Sequence, residues 1–87
     1  MQKSFNLKIL TPEKEIYDDF AESVTVTAPD GRYTILADHT PLVMPLVAGT
    51  VGIKKEGKWS SSANTEGFIE VSRHGTRIFV QTCESVT

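Results

Sequence analysis

Ser23-Val24-Thr25-Val26-Thr27-Ala28-Pro29-Asp30-Gly31-Arg32-Tyr33-Thr34-Ile35-Leu36 is the stretch that decides the fold. Its first half alternates apolar and hydroxyl side chains with a period of two, the mark of a strand with one buried face. Val24, Val26 and Ala28 fall on the inward side, and Ser23, Thr25 and Thr27 on the outward side. Pro29-Asp30-Gly31 then reverses the chain, because proline presets φ and glycine accepts positive φ. A short apolar strand, Tyr33 to Leu36, follows, and then a polar bend from Ala37 to Pro41. Pro41 fixes its own φ and biases Thr40 away from helix. Asp38 and Thr40 carry side chains able to bond nearby backbone and hold a turn. Arg32 thus stands at one end of this unit and Asp38-His39 at the other, with strand on both sides.

The same period recurs outward in both directions. Phe5, Leu7 and Ile9 alternate with Asn6 and Lys8, and Thr11-Pro12 ends that strand. Glu15 to Phe20 reads as another, with Ile16 and Phe20 on one side and Tyr17 on the other. Leu42 to Val47 is apolar but contains Pro45, which excludes a central strand and predicts an edge. Thr50 to Lys55 alternates, with Val51 and Ile53 inward, and Glu56-Gly57 leads into Lys58-Trp59 as a hairpin. Ser60 to Asn64 is weakly specified yet permits a strand. Phe68 to Val71 and Arg77 to Val80 are strands joined around Arg73-His74-Gly75. Val24, Val26, Ile53 and Ile78 are the expected core. No segment of ten or more residues has a 3.6-residue period, so about nine short strands imply an antiparallel sandwich or barrel. Apolar residues are consecutive in the last strands. Either one outer face docks on a partner, or Tyr17, Val47, Ile69 and Phe79 fill a curled core.

Composition narrows the function. Eighty-seven residues make one small domain, residues 1–87, with no linker or repeat. Net charge is −2 and the only basic run, Lys54-Lys55, is answered at once by Glu56, which argues against nucleic-acid binding. Cys83 is the single cysteine, so no internal disulfide forms and a reducing compartment fits. No apolar run reaches the length of a membrane span, and no signal peptide opens the chain. Asp38-His39 invites a catalytic reading, but adjacent residues in a bend point apart and no serine or cysteine stands in a nucleophile elbow. His39, His74 and Cys83 lack metal-ligand spacing, and the six glycines are scattered singly, without a phosphate loop or dinucleotide pattern. From the residues alone, this is a small all-β interaction module with no catalytic, metal or cofactor site.

Several blocks, in order, carry a resemblance: Leu7-Lys8-Ile9-Leu10-Thr11-Pro12-Glu13, Ser23-Val24-Thr25-Val26, Gly31, Ile35-Leu36, His39-Thr40-Pro41-Leu42, Gly49-Thr50-Val51 and Gly67-Phe68-Ile69-Glu70-Val71. Together they span essentially the whole chain, which resembles the epsilon subunits of F-type rotary ATP synthases. The resemblance implies a ten-stranded antiparallel β-sandwich, one strand more than the alternation yields. It implies a non-catalytic place at the foot of the central stalk, binding the gamma subunit and the c-ring and coupling ion flow to ATP synthesis. It further implies peripheral attachment at the cytoplasmic face of a bacterial plasma membrane, a thylakoid setting being the alternative. On family grounds Asp30, Gly31, Arg32, Asp38, His39, Thr40 and Pro41 face the c-ring. Thr11, Leu42, Val43 and Met44 face gamma. Thr34, Asp38 and Glu66 depart from the family's usual glycine, asparagine or glycine, and glycine, and Asp38 adds negative charge to the ring-facing edge. Family members commonly continue into a two-helix hairpin that inhibits hydrolysis and in some binds ATP. The chain reaches Thr87 without it, so no ATP binding is expected of these residues.

Overall fold

The computed structural model describes residues 3–84. Its nine strands are β1 (Phe5–Leu10), β2 (Glu15–Ala21), β3 (Ser23–Ala28), β4 (Gly31–Leu36), β5 (Leu42–Leu46), β6 (Gly49–Lys55), β7 (Lys58–Asn64), β8 (Gly67–Ser72) and β9 (Gly75–Val80). They form two facing sheets, one ordered β2-β1-β9-β8-β5 and the other β4-β3-β6-β7. The architecture is the expected all-β sandwich rather than a barrel. Two details differ from expectation. Nine strands stand among the described residues instead of ten, and Cys83 adds only an isolated bridge to Asn64. The ladders are not all antiparallel either, since β1 and β9 run parallel, Leu7 opposite Thr76 and Ile9 opposite Ile78. The long return of the chain from β1 to β9 permits a parallel pair, which a tight hairpin cannot make.

The core is what alternation dictates. Leu7, Ile9, Val24, Val26, Ile35, Val51, Ile53, Ile69 and Ile78 are at most 1% exposed and meet between the sheets. Each removes a β-branched or leucine side chain from water, worth about 1.5–3 kcal/mol apiece before the entropy of ordering is set against it. Pro45 lies in β5, the outermost strand of its sheet, where a missing N–H does least harm. Glu56 and Gly57 both take left-handed φ, +52° and +77°, as a two-residue hairpin between Lys55 and Lys58 requires.

Alternation misreads β2. Ile16 packs against the core while Phe20, expected beside it, is 59% exposed. The cause is a register shift: Ile9 pairs with Tyr17 but Leu10 with Glu15, leaving Ile16 as an extra residue. A bulge of this kind changes the face of the residues beyond it. Ser23 keeps its expected outward side by register but is buried there, 4% exposed.

A short strap closes the sandwich after β9. The Thr65 hydroxyl oxygen accepts the N–H groups of Gln81 (3.1 Å) and Thr82 (2.9 Å), while the Thr65 backbone N–H and hydroxyl both donate to the Thr82 carbonyl. Glu84 N–H donates to the Ala63 carbonyl at 3.0 Å, and a Glu84 carboxylate oxygen accepts Ala63 N–H at 3.2 Å. Side-chain oxygens thus stand in where main-chain carbonyls would complete a tenth strand. Cys83, half-buried, packs beneath the strap against the core.

Candidate partner-binding surfaces

Register assigns the outward side chains of the five-stranded sheet to rows. Pro45 lies opposite Phe68, Phe68 opposite Phe79, and Phe79 opposite Leu10. The next row is Val43, Glu70, Arg77, Lys8 and Asp18. The first row is apolar from β5 to β1 and ends on β2 at Glu15. Phe68 and Phe79 stack with ring centroids 4.8 Å apart, and the Arg77 guanidinium sits 5.7 Å from the Phe79 centroid while pairing with Glu70. This arrangement stiffens the aromatic pair from one side. Beside it runs an open groove of about 400 Å³, lined by Leu10, Thr11, Pro12, Gly67, Phe68 and Phe79 among others. Gly67 on its wall lets β8 and β9 approach closely, since a Cβ there would sit 1.8 Å from the Phe79 carbonyl oxygen. Thr11 ends β1 in a tight turn, its N–H and hydroxyl donating to the Lys14 carbonyl and its oxygen accepting Lys14 N–H. Phe20, Val43 and Phe68 leave 59%, 69% and 43% of their surface in water, so three of the large exposed hydrophobic residues share this face.

Of the four residues expected to face gamma, Thr11 and Val43 lie on this outer surface. They lie three strand spacings apart across the sheet, about 14 Å, and Thr11, just past β1, is further along the chain than Lys8, the residue in the row of Val43. Leu42 and Met44 are the alternate residues of β5 and pack against the core instead. Leu10, Pro45, Phe68 and Phe79 complete the surface and were not singled out as site residues. Their signal was present as consecutive apolar pairs such as Phe68-Ile69 and Ile78-Phe79, which a strand can only split between two faces.

The seven residues of the other expected edge fall into two stations. At the β3–β4 turn, an Asp30 carboxylate oxygen accepts the Tyr33 hydroxyl at 2.8 Å, and Gly31 takes φ +139°. Arg32 does not project from the turn. Its Nη1 reaches across the outer face of the four-stranded sheet to Thr27 Oγ1 (2.6 Å) and Thr50 Oγ1 (3.1 Å). At the far end of β4, about 17 Å away for a six-residue strand, the loop from Ala37 to Pro41 carries the others. This loop is not held by the Asp38 and Thr40 side chains as expected. His39 N–H donates to the Leu36 carbonyl at 3.2 Å, and Asp38 takes a left-handed φ of +68°, which aspartate tolerates. The Asp38 carboxylate is thereby freed to pair with Lys3 at 2.8 Å in the open. His39 Nδ1 lies 2.7 Å from the Thr40 carbonyl, which only accepts, so the proton resides on Nδ1. Thr40 and Pro41 are exposed. The two stations are joined only along the β4 edge.

Three further groups, Asp19, Lys55 and Cys83, are perturbed without lying on either surface. Lys55 on β6 pairs with Asp19 on β2, tying the two sheets together at one side. The Lys55 hydrogen bond, then the Phe20 N–H, holds the Asp19 carboxyl below its usual range, and the same bond raises Lys55. Burial, and secondarily Glu84, pushes the Cys83 thiol up, which disfavours the reactive thiolate. Among the described residues no three of His, Cys, Asp or Glu gather as metal ligands, and no helix is long and apolar enough to cross a membrane.

A two-sheet domain that presents one apolar, grooved outer face and one polar strand edge belongs to the class of β-sandwich interaction domains. The chain is a member of the family described as ATP synthase, Delta/Epsilon chain, beta-sandwich domain, which matches residues 4–86. It is 41% identical over 85 residues to the ATP synthase epsilon chain of Caldanaerobacter subterraneus subsp. tengcongensis, covering 97% of this chain and 62% of that one. To the epsilon chain of Alkaliphilus oremlandii it is 39% identical over 84 residues, covering 97% and 63%. The chain therefore spans about three fifths of the length of these relatives. Its fold matches a chain of the Euglena gracilis mitochondrial ATP synthase structure that includes F1 and the c-ring, with TM-score 0.87, 21% identity and coverage of 93% and 52%. A chain of the Tetrahymena thermophila central stalk and c-ring structure gives 0.79, 16%, 97% and 68%.

Proposed function

We propose that this chain is the β-sandwich portion of a non-catalytic central-stalk subunit of an F-type ATP synthase. The outer face of the five-stranded sheet docks on the gamma subunit. The two stations of β4 lie toward the c-ring. The domain transmits rotation between the two and so couples ion flow to ATP synthesis, attached peripherally at the cytoplasmic face of a bacterial plasma membrane. The observation that carries the reading is the apolar row Pro45, Phe68, Phe79 and Leu10 beside its groove, a surface that water does not favour, in a chain whose relatives are ATP synthase epsilon chains. Its row of mixed charges, Glu70, Arg77, Lys8 and Asp18, supplies the polar rim of such an interface.

The test is capture of this domain by a gamma subunit. Val43→Asp and Phe68→Ser alter exposed side chains and leave the core alone, so both variants fold. Each weakens capture tenfold or more if a desolvated apolar centre drives docking, about 1.4 kcal/mol or above. The double variant Arg32→Ala, His39→Ala keeps gamma binding but weakens assembly with c-ring-containing membranes. Undiminished gamma binding by Phe68→Ser and Val43→Asp together removes the five-stranded face as the docking surface.

A further inference from the structure

We infer that the outward face of the four-stranded sheet is a second docking surface, built for a carboxylate-bearing segment of a partner protein. The face goes beyond the function proposed above, which uses the opposite sheet and the ends of β4, and shares with it Arg32 at the β3–β4 turn. Its outward positions follow from register: Arg32, Thr34 and Leu36 on β4; Ser23, Thr25 and Thr27 on β3; Thr50, Gly52 and Lys54 on β6; Trp59, Ser61 and Ala63 on β7.

The charge of these positions is one-sided. The chain has eleven Asp and Glu residues and a net charge of −2, yet none of the eleven is on this face, while Arg32 and Lys54 are. The opposite sheet, by contrast, mixes both signs in its row of Glu70, Arg77, Lys8 and Asp18. The local cation is also positioned. Arg32 directs Nη1 onto Thr27 Oγ1, Thr50 Oγ1 and, at 3.4 Å, the Thr50 carbonyl, which lays the guanidinium flat across three strands. Its Nε and Nη2 have no partner among the described residues. Those two N–H groups form one edge of the guanidinium fork, the geometry that receives both oxygens of a carboxylate. The side chain is ordered before any partner arrives, which reduces the entropy lost on binding.

Apolar anchors stand beside it. Trp59 is 57% exposed and lies over Gly52, whose Cβ, if present, would touch the indole ring at 3.6 Å. Leu36, also 57% exposed, stands in the same cross-strand row with Ser23 and Lys54 between. Tryptophan and arginine are the residues most enriched where protein partners bind tightly. A membrane surface fits less well, because lipid recognition by charge uses clusters of about four to eight Lys and Arg and this face has two. Between the anchors the Thr25 and Thr34 hydroxyls bond each other at 2.9 Å, leaving one donor and further lone pairs, and with the Ser61 hydroxyl they suit a peptide backbone, which needs both donors and acceptors.

Trp59 is the only tryptophan, so the surface carries its own reporter. The experiment is titration of the 87-residue chain with a hexaglutamate peptide, following Trp59 fluorescence and the amide and indole N–H signals by NMR. Hexalysine, sodium phosphate and phosphatidylglycerol vesicles are run in parallel. A saturable response to hexaglutamate alone is expected, with shifts at Thr25, Thr27, Thr50 and Trp59, weakening as salt rises. Arg32→Gln lowers the affinity about fivefold or more, with Arg32→Lys in between because it keeps charge and loses the fork. Lys54→Gln lowers it less and serves if Arg32→Gln fails to fold by circular dichroism. No saturable response, a response to vesicles or phosphate without one to the peptide, or unchanged affinity in both variants overturns the inference. No stalk component is present, so failure here leaves the gamma-docking proposal standing, and the reverse also holds.

Discussion

Gly67→Ala is the most demanding check of the β8–β9 geometry beneath the proposed gamma-docking face. Gly67 pairs with Val80 on one side and Leu46 on the other, in a central position of the sheet. An added Cβ lands 1.8 Å from the Phe79 carbonyl oxygen, 2.8 Å from the carbon of that carbonyl and 2.9 Å from the Val80 Cα. All three atoms are backbone, so no flexible side chain can swing away. The start of β8 must retreat by more than an ångström, which breaks or stretches about two ladder hydrogen bonds at about 1 kcal/mol each. Strain of overpacking adds about 1–3 kcal/mol, bringing the expected loss to about 3–5 kcal/mol. For a domain of this size that lowers the melting temperature by about 12–40 °C, and the urea midpoint by about 2 M or more. The assay is equilibrium urea unfolding followed by far-ultraviolet circular dichroism, with Gly57→Ala as control. Gly57 has φ +77° and open space around it, so alanine there meets only the left-handed backbone penalty of about 1–2 kcal/mol. A Gly67→Ala midpoint equal to that of the parent, or a smaller loss than Gly57→Ala, refutes the close approach of β8 and β9 at this point.

Three other outcomes are expected. Val26→Ala, at a fully buried position, lowers stability by about 1–3 kcal/mol through lost burial and a residual cavity; an unchanged denaturant midpoint contradicts the inward face of β3. Asp19 has a folded pKa below its unfolded value, so its contribution with Lys55 is complete above the ordinary carboxylate range and disappears as pH falls through the lowered folded value. The melting temperatures of the parent and Asp19→Asn should therefore differ at pH 7 and converge in strong acid, and a gap that persists at pH 2 counts against the pair. Cys83, half-buried with its thiol pushed up, should react with a thiol reagent at pH 7 far more slowly in the native chain than in urea, and equal rates contradict the packing of the strap.

How much was legible depended on whether neighbouring residues or distant strands decide the outcome. Val24, Val26, Ile53 and Ile78 were readable because period two and burial coincide in strands without irregularities. Pro45 announced an edge through its missing donor. Phe20 was misplaced because the bulge opposite Leu10 depends on which strand lies alongside, information that Glu15 to Phe20 does not contain. The parallel pairing of β1 with β9 was invisible for the same reason. At the surfaces, Thr11 and Val43 came from family resemblance and stand outward, while Leu42 and Met44 came from the same block and face the core. A block match fixes position along the chain, but only alternation fixes the face. Arg32 was correctly exposed in prospect, yet its reach to Thr27 and Thr50 required knowing that β3 and β6 are neighbours.

The placement of β9 has a consequence for how the chain becomes a protein. The last full strand sits at the centre of the five-stranded sheet, between β1 and β8. Until it emerges, the β1–β2 hairpin and the β5–β8 pair have no common neighbour, and one of the two layers exists only as separate fragments. Every strand from β2 to β8 must be synthesised between β1 and the neighbour that completes its place in the sheet, so stable folding of this domain during translation comes late. Loop closure over such a span is slow. An arrest a few residues short of Val80 leaves Leu7, Ile9 and Ile69 uncovered together, a hydrophobic exposure that marks the unfinished chain for capture by quality control.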